Sequence, residues 1–221
     1  MKKITYELIR GNKEINVYIA SGNKALGVLG YTDHSAAHAA KVAETAGKIL
    51  EELGYKKREV ELAKIAGYMH DLGNSINRND HAHSGALMAF RMLMDMGMEA
   101  EEIAIVIGAI GNHDEHTGCA VDPISAAVIL ADKTDVRRNR VRNLDMASFD
   151  NHDRVNYAAK ESKVSINAEK DGICLNIELD ESICSVLEYF EIFLNRMLMC
   201  RRAAEILNVK FKFMTNGNKV Y

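Results

Sequence analysis

Apolar side chains recur at intervals of three and four residues through most of the first two-thirds of this chain, the spacing that lines one face of an α-helix. The pattern predicts helices over residues 34–54, 59–72, 82–96, 100–113 and 122–140, with a further helix or pair of helices within 5–29. Start and stop residues agree with it. Asp122 can cap free helix amides and Pro123 suits a first helical turn, while Gly54, Gly73 and Gly97 stand at expected ends, where a left-handed cap favours glycine. Pro123 is the single proline, so these windows run without an internal breaker.

Past residue 160 the period shortens to two. Val164, Ile166 and Ala168 alternate with polar residues, and Ile173, Leu175, Ile177 and Leu179 do the same beyond Asp171-Gly172, which predicts a hairpin. A long amphipathic helix over 182–207 follows, and Val209, Phe211 and Phe213 alternate as a last strand. The expected fold is mainly α: a helical bundle with a small C-terminal α+β (β-β-α-β) appendage. Its expected divisions are an N-terminal helical segment (1–29), a helical domain (30–145) and the C-terminal unit (146–221). Five methionines between Met88 and Met98 read as gap-filling core residues.

Composition narrows the function classes. With 48% hydrophobic and 27% charged residues the chain can bury a substantial core, and a net charge of -3 provides no general field to attract duplex nucleic acid. Four cysteines without a Cys-x-x-Cys pair exclude a zinc ribbon or dithiol motif and read as reduced, buried thiols. Glu7, Arg10, Lys13 and Glu14 interrupt any export signal, and no apolar stretch approaches the roughly 20 residues of a bilayer span, so a cytoplasmic protein with no membrane partner is expected.

Candidate chemistry lies where histidines and acids continue the apolar stripes. His34 and His38 share helical spacing with Val42, Ile49 and Leu53; Leu62, Ala66 and His70 are four apart, with Asp71 next. Ile103, Val106, Ile110 and His113 share a face, as do Val128 and Asp132. Carboxylates facing imidazoles inside an apolar bundle call for shared protons or a neutralising cation. Ligands drawn from separate helices fit the way bundles build metal sites, and nitrogen and oxygen donors suit Mn, Fe, Co, Ni, Zn or Mg.

His38, the His70-Asp71 pair in GYMHDLGN, and Asp132 in ILADKTD resemble the H…HD…D signature of the HD-domain superfamily of metal-dependent phosphohydrolases. His81 in HAHSGALMA and His113 in GAIGNHDEHTG resemble the additional histidines of its binuclear subset, and the similarity spans roughly residues 30–140. The resemblance implies that His38, His70, Asp71 and Asp132 hold one divalent ion and that His81 and His113 complete a second, with Asp71 bridging. It further implies catalysis centred on Asp71 and His70: metal-activated water hydrolyses a phosphate ester, either a nucleotide or a related phosphomonoester or diester. The sequence departs from the cyclic-dinucleotide phosphodiesterase branch, since no His-His pair and no Gly-Tyr-Pro follow His113. GYTDHSAAHAAKVA is closer to a smaller group with a His-x-x-x-His pair ahead of the His-Asp helix.

Lys133 and Arg137, which share a face at helical spacing, and His34 are the expected contacts to a phosphorylated substrate; the remaining basic run Arg138, Arg140 and Arg142 reads as a solvated helix face. Asp135 is read as a partner of these cations or a pocket acid, and Asp114 and Glu115 as solvated helix-end acids. His83 and His116 are expected in solvent or at a pocket rim. Two other functions share these ligands: an HD-fold di-iron oxygenase and a ligand-sensing module without catalysis. An open sheet edge in the C-terminal unit makes a homodimer the expected assembly.

Overall fold

The computed structural model describes residues 3–143 and 145–220. A short helix α1 (Tyr6–Arg10) and a longer α2 (Lys13–Val28) lead into α3 (Ala36–Glu52), α4 (Lys57–Met69), α5 (His81–Asp95), α6 (Ala100–Gly111) and α7 (Pro123–Lys133). Asn12 caps α2 by accepting from the Glu14 and Ile15 amides, and Ser35 caps α3. At α7 the Asp122 carboxylate accepts from the Ser125 amide at 2.7 Å, while Ser125 Oγ accepts from the Asp122 amide at 3.0 Å. Every residue from Ile124 to Ala131 is buried, so α7 is the central rod, packed against α3, α4, α6 and the C-terminal helix.

Two sequence expectations are corrected here. The helix expected to run to residue 140 stops at Lys133: Thr134 turns its hydroxyl back to the Leu130 carbonyl at 2.5 Å, and the chain continues into a 3-10 turn at Arg138–Arg140. Arg137 therefore no longer shares a helical face with Lys133. Gly54 and Gly97 do adopt positive φ at helix ends, but Gly73 does not; it lies in a 3-10 turn, Leu72–Ser75, beneath α5. There a Cβ would stand 1.9 Å from the His81 carbonyl oxygen, so glycine is required by close approach and not by backbone hand.

The C-terminal unit holds α8 (Asn151–Ala158), β1 (Ala159–Ile166), β2 (Gly172–Leu179), α9 (Val186–Ile206), β3 (Lys210–Thr215) and a two-residue β4 (Asn218–Lys219). The expected β-β-α-β order is present: β1 and β2 form an antiparallel hairpin, and α9 crosses over to β3, parallel to β2 with Ile173 opposite Phe211. Strand order is β1-β2-β3-β4. Helix α8 and β4 were not anticipated, and β1 begins five residues ahead of the expected Val164. Helix α9 packs on both α7 and β3, which joins the sheet to the bundle core. Cys184 and Cys200 are buried as expected, whereas Cys119 is exposed. No helix among the described residues is long and apolar enough to cross a membrane.

Candidate metal centre

Helix ends converge on one point. His34 precedes α3 and His38 lies in its first turn; His70 ends α4 and Asp71 opens the turn that follows; His81 begins α5, His113 follows α6, and Asp132 closes α7. All seven are buried or nearly so, with His38, His70, His81 and His113 at most 2% exposed.

Each histidine is oriented by its Nδ1. His34 Nδ1 donates to the Thr32 carbonyl (2.7 Å), His70 Nδ1 to Gly67 (2.8 Å), His81 Nδ1 to Arg78 (3.0 Å) and His113 Nδ1 to Ile110 (2.6 Å), while His38 Nδ1 donates to the Asp135 carboxylate at 2.8 Å. A carbonyl or carboxylate can only accept, so these contacts fix the tautomer of the neutral ring and turn each Nε2 inward, where it can take up a proton or ligate a cation.

Asp71 stands between the resulting two sets. Its Oδ2 is 3.2 Å from His70 Nε2, 3.9 Å from His38 Nε2 and 4.0 Å from His34 Nε2; its Oδ1 is 3.6 Å from His81 Nε2 and 3.8 Å from His113 Nε2. Asp132 Oδ1 joins the first set, 3.4 Å from His38 Nε2 and 3.6 Å from His70 Nε2. Ligand atoms within 4.8 Å of one another form three overlapping groups: His38, His70 and Asp71; His70, His113 and Asp132; Asp71, His81 and His113.

The arrangement fits divalent ions on its own chemistry. His38 Nε2, His70 Nε2 and Asp71 Oδ2 are buried with no hydrogen-bond partner among the described residues, a costly state without a cation. His81 Nε2 and His113 Nε2 face each other at 3.1 Å, two acceptors that repel unless a proton or a metal lies between them. Burial lowers His70, but the Asp71 and Asp132 carboxylates outweigh it and raise its pKa to about 10, so a proton is held where the carboxylates demand positive charge. Burial alone would raise Asp71 and Asp132; His70 beside Asp71, and Lys133 with His38 and His70 beside Asp132, hold both well below the usual carboxylate range. Burial, with neighbouring cationic groups, presses His113 well below the ordinary imidazole value and lowers His81, keeping both in the ligating form.

The cluster floors a cavity of about 710 Å³. Lys133, Arg78, Arg140 and Arg196 line it, together with the carboxylates Asp80, Asp114, Glu115, Asp150 and Asp153. Burial would lower Lys133, but Asp132 at 2.9 Å and Glu115 at 3.5 Å raise its pKa and keep it charged. Arg196, from α9, donates Nε to both Glu115 oxygens at 3.2 and 3.1 Å. Helix α8 supplies His152, Asp153 and Asn156 to the lining.

Of the residues expected at the site, His34, His38, His70, Asp71, His81, His113 and Asp132 are brought together, and Lys133 reaches the cavity. Arg137 does not: it lies outside the cavity lining, donating Nε and Nη2 to Asp135 at 2.6 and 3.0 Å. Glu115, expected as a solvated acid, is paired with Lys133 and Arg196 instead. His116 lines the cavity and exposed His83 stays outside it, 3.5 Å from Asp80. Sequence reasoning missed Asn74, which donates to Asp71 Oδ1 at 2.7 Å, and Arg78, whose Nη1 lies 3.3 Å from His81 Nε2. A polar turn directly after the His-Asp pair was the available signal for both.

Residues 36–140 match a family model described as HD domain. The protein MJ1020 of Methanocaldococcus jannaschii is 32% identical over 163 residues, covering 63% of this chain and 62% of that protein. Ribonuclease Y of Enterococcus faecalis is 30% identical over 115 residues (51% of this chain, 20% of that protein), and ribonuclease Y of Wolinella succinogenes 34% over 122 residues (54% and 21%). The chain thus spans less than two-thirds of the length of these curated relatives. A crystal structure of a predicted HD superfamily hydrolase from an uncultured Thermotogales bacterium aligns with a TM-score of 0.44 and 25% identity over 57% of this chain and 68% of that one.

Proposed function

Since residues 36–140 match the HD-domain family model, we propose that the chain is a metal-dependent phosphohydrolase whose centre takes two divalent ions and cleaves a phosphate ester, either a nucleotide or a related phosphomonoester or diester. The observation that carries this reading is the set of inward-facing atoms on His38, His70 and Asp71 that have no hydrogen-bond partner among the described residues, continued by the facing His81 and His113 nitrogens. His38, His70, Asp71 and Asp132 would hold one ion, and Asp71, His81 and His113 the other. Bound divalent ions supply Lewis acidity to a phosphoryl oxygen and lower the pKa of a water.

The protein's own groups do the rest. Asp71 presents one oxygen to each set of histidines, the arrangement a shared ligand needs. Lys133, Arg78, Arg140 and Arg196 are the cavity cations that would meet a phosphate and stabilise charge on its equatorial oxygens. His34, 4.0 Å from Asp71 Oδ2 and lining the cavity, is placed to meet the substrate beside the first set. The similarity to proteins named as ribonucleases favours a nucleotide-derived ester, and a cavity of about 710 Å³ accommodates one.

The test is elemental analysis of protein purified without chelator, followed by a panel of nucleotides and phosphodiesters with Mn, Ni, Co or Mg. Release of phosphate or cleaved diester, lost in Asp71→Ala and His70→Ala, supports the reading. A metal-loaded protein that turns over no ester, or one whose turnover consumes oxygen, refutes it.

A further inference from the structure

The two halves of the centre differ in what surrounds their ligand atoms. Among the five clustered histidines, His38 alone directs Nδ1 to a carboxylate, that of Asp135, and the other four use backbone carbonyls. The Asp135 side chain is 2% exposed and clamped: Arg137 binds both oxygens, Arg140 Nη1 lies 3.6 Å from Oδ2, and the same Nη1 donates to the Asp135 carbonyl at 2.6 Å. A carboxylate behind an imidazole fixes the ring and makes the far nitrogen a stronger donor to a metal. The same half holds Asp132 Oδ1, while Lys133 sits on the other oxygen of that carboxylate.

The half formed by His81 and His113 is electrostatically poorer. Arg78 brings a guanidinium nitrogen to 3.3 Å from His81 Nε2, where it opposes a dication. Asn74 donates to Asp71 Oδ1, the oxygen facing this half, and so draws charge from the one carboxylate that lies within 4.0 Å of either Nε2 among the described residues.

Resting on the two-ion reading above, we infer that the centre fills in two unequal steps, the His38 half first, with Asp135 as the positioning residue that makes it tight and Arg78 as the residue that weakens the second. Asp135 acts through His38 and touches neither substrate nor ion. Arg78 has a double character: it costs affinity for the second ion and supplies positive charge to the cavity beside it.

The experiment titrates Mn2+ into the chelator-treated full chain, reading free Mn2+ by electron paramagnetic resonance and heat by calorimetry. The wild type shows two steps whose Kd values differ by at least about 10-fold, and Asp135→Asn weakens the first by about 10–100-fold while leaving the second within about 3-fold. Arg78→Met tightens the second step several-fold and leaves the first in place. Arg137→Met, at a residue whose side chain is 28% exposed, loosens the Asp135 clamp and weakens the same first step, which keeps the test open if Asp135→Asn does not fold. Two steps of equal affinity, or equal weakening of both by Asp135→Asn and Arg137→Met, overturn this inference alone. No Mn2+ binding by the wild type overturns the two-ion reading as well.

Discussion

Gly73→Ala should separate the second half of the centre from the first. The new Cβ would lie 1.9 Å from the His81 carbonyl oxygen, 2.5 Å from Ser84 Oγ and 2.6 Å from the Gly85 amide nitrogen. Ser84 can rotate away, but the other two atoms are backbone at the start of α5. To bring the closest contact even to 3.0 Å the helix end must retreat by about 1.1 Å, and His81 leaves with it. Overpacking against backbone costs about 2–3 kcal/mol, roughly 5–10 °C in Tm for a chain of this size. A displacement of about 1 Å at a reacting centre costs about 100-fold in turnover. The assay is thermal melting with Mn2+ stoichiometry and ester turnover, with Gly108→Ala as the control. Gly108 lies inside α6 with nothing within 4 Å of its Cβ position, so alanine there should stabilise by about 0.5–1 kcal/mol. A Gly73→Ala protein with unchanged Tm, two bound ions and full turnover would refute the packing argument.

Lys133→Met should cut turnover at least about 100-fold and destabilise by about 3–5 kcal/mol, because it strips the buried Asp132 Oδ2 of its ion-pair partner and leaves Glu115 to Arg196 alone; turnover and urea unfolding check both parts. Arg196→Ala should raise KM about 10-fold by removing a cavity cation and loosening Glu115, which steady-state kinetics on the best ester measures. Chelator treatment should lower Tm by roughly 5–10 °C relative to protein with ion at about 100 times Kd, a difference worth about 2.7 kcal/mol, readable in a melting scan. At the N-terminus of α9, the Ser185 amide, the Arg154 guanidinium and the Ser185 hydroxyl lower Glu188 to about 2. Its contribution is therefore present above the ordinary carboxylate pKa and lost as pH falls through that value towards 2. The Tm gap between wild type and Glu188→Gln should accordingly close on acidification; a gap constant from pH 7 to pH 2 would contradict the cap.

Residues that set helical phase were the readable part of this sequence. His38, His70, His113 and Asp132 continue apolar stripes, so their inward direction follows from spacing alone, and Gly54, Gly97 and Asp122 marked the ends of α3 and α5 and the start of α7. What escaped depends on tertiary partners. Helix α7 was drawn seven residues too long because Lys133, Arg137 and Arg140 keep a helical rhythm; Asp135 turning in to His38, with Arg137 and Arg140 following it, breaks the helix in a way no local pattern encodes. Helix α8 has only Val155 and Ala158 as buried apolar side chains among polar neighbours, so its periodicity was faint; Asp150, which accepts from the Asp153 amide at 2.7 Å, was its one strong marker. Arg196 reaches the cavity from a distant helix, and nothing in its own segment announces it; for Arg78 the polar turn after the His-Asp pair was the one local signal.

Under the proposed function, imidazoles and carboxylates from five helix ends enclose two divalent ions around Asp71. Anomalous diffraction at the manganese edge from crystals grown with Mn2+ measures this directly. The account predicts two peaks flanking the Asp71 carboxylate, one bounded by His38, His70 and Asp132 and the other by His81 and His113. Crystals that bind Mn2+ elsewhere and show no peak at Asp71 would contradict it.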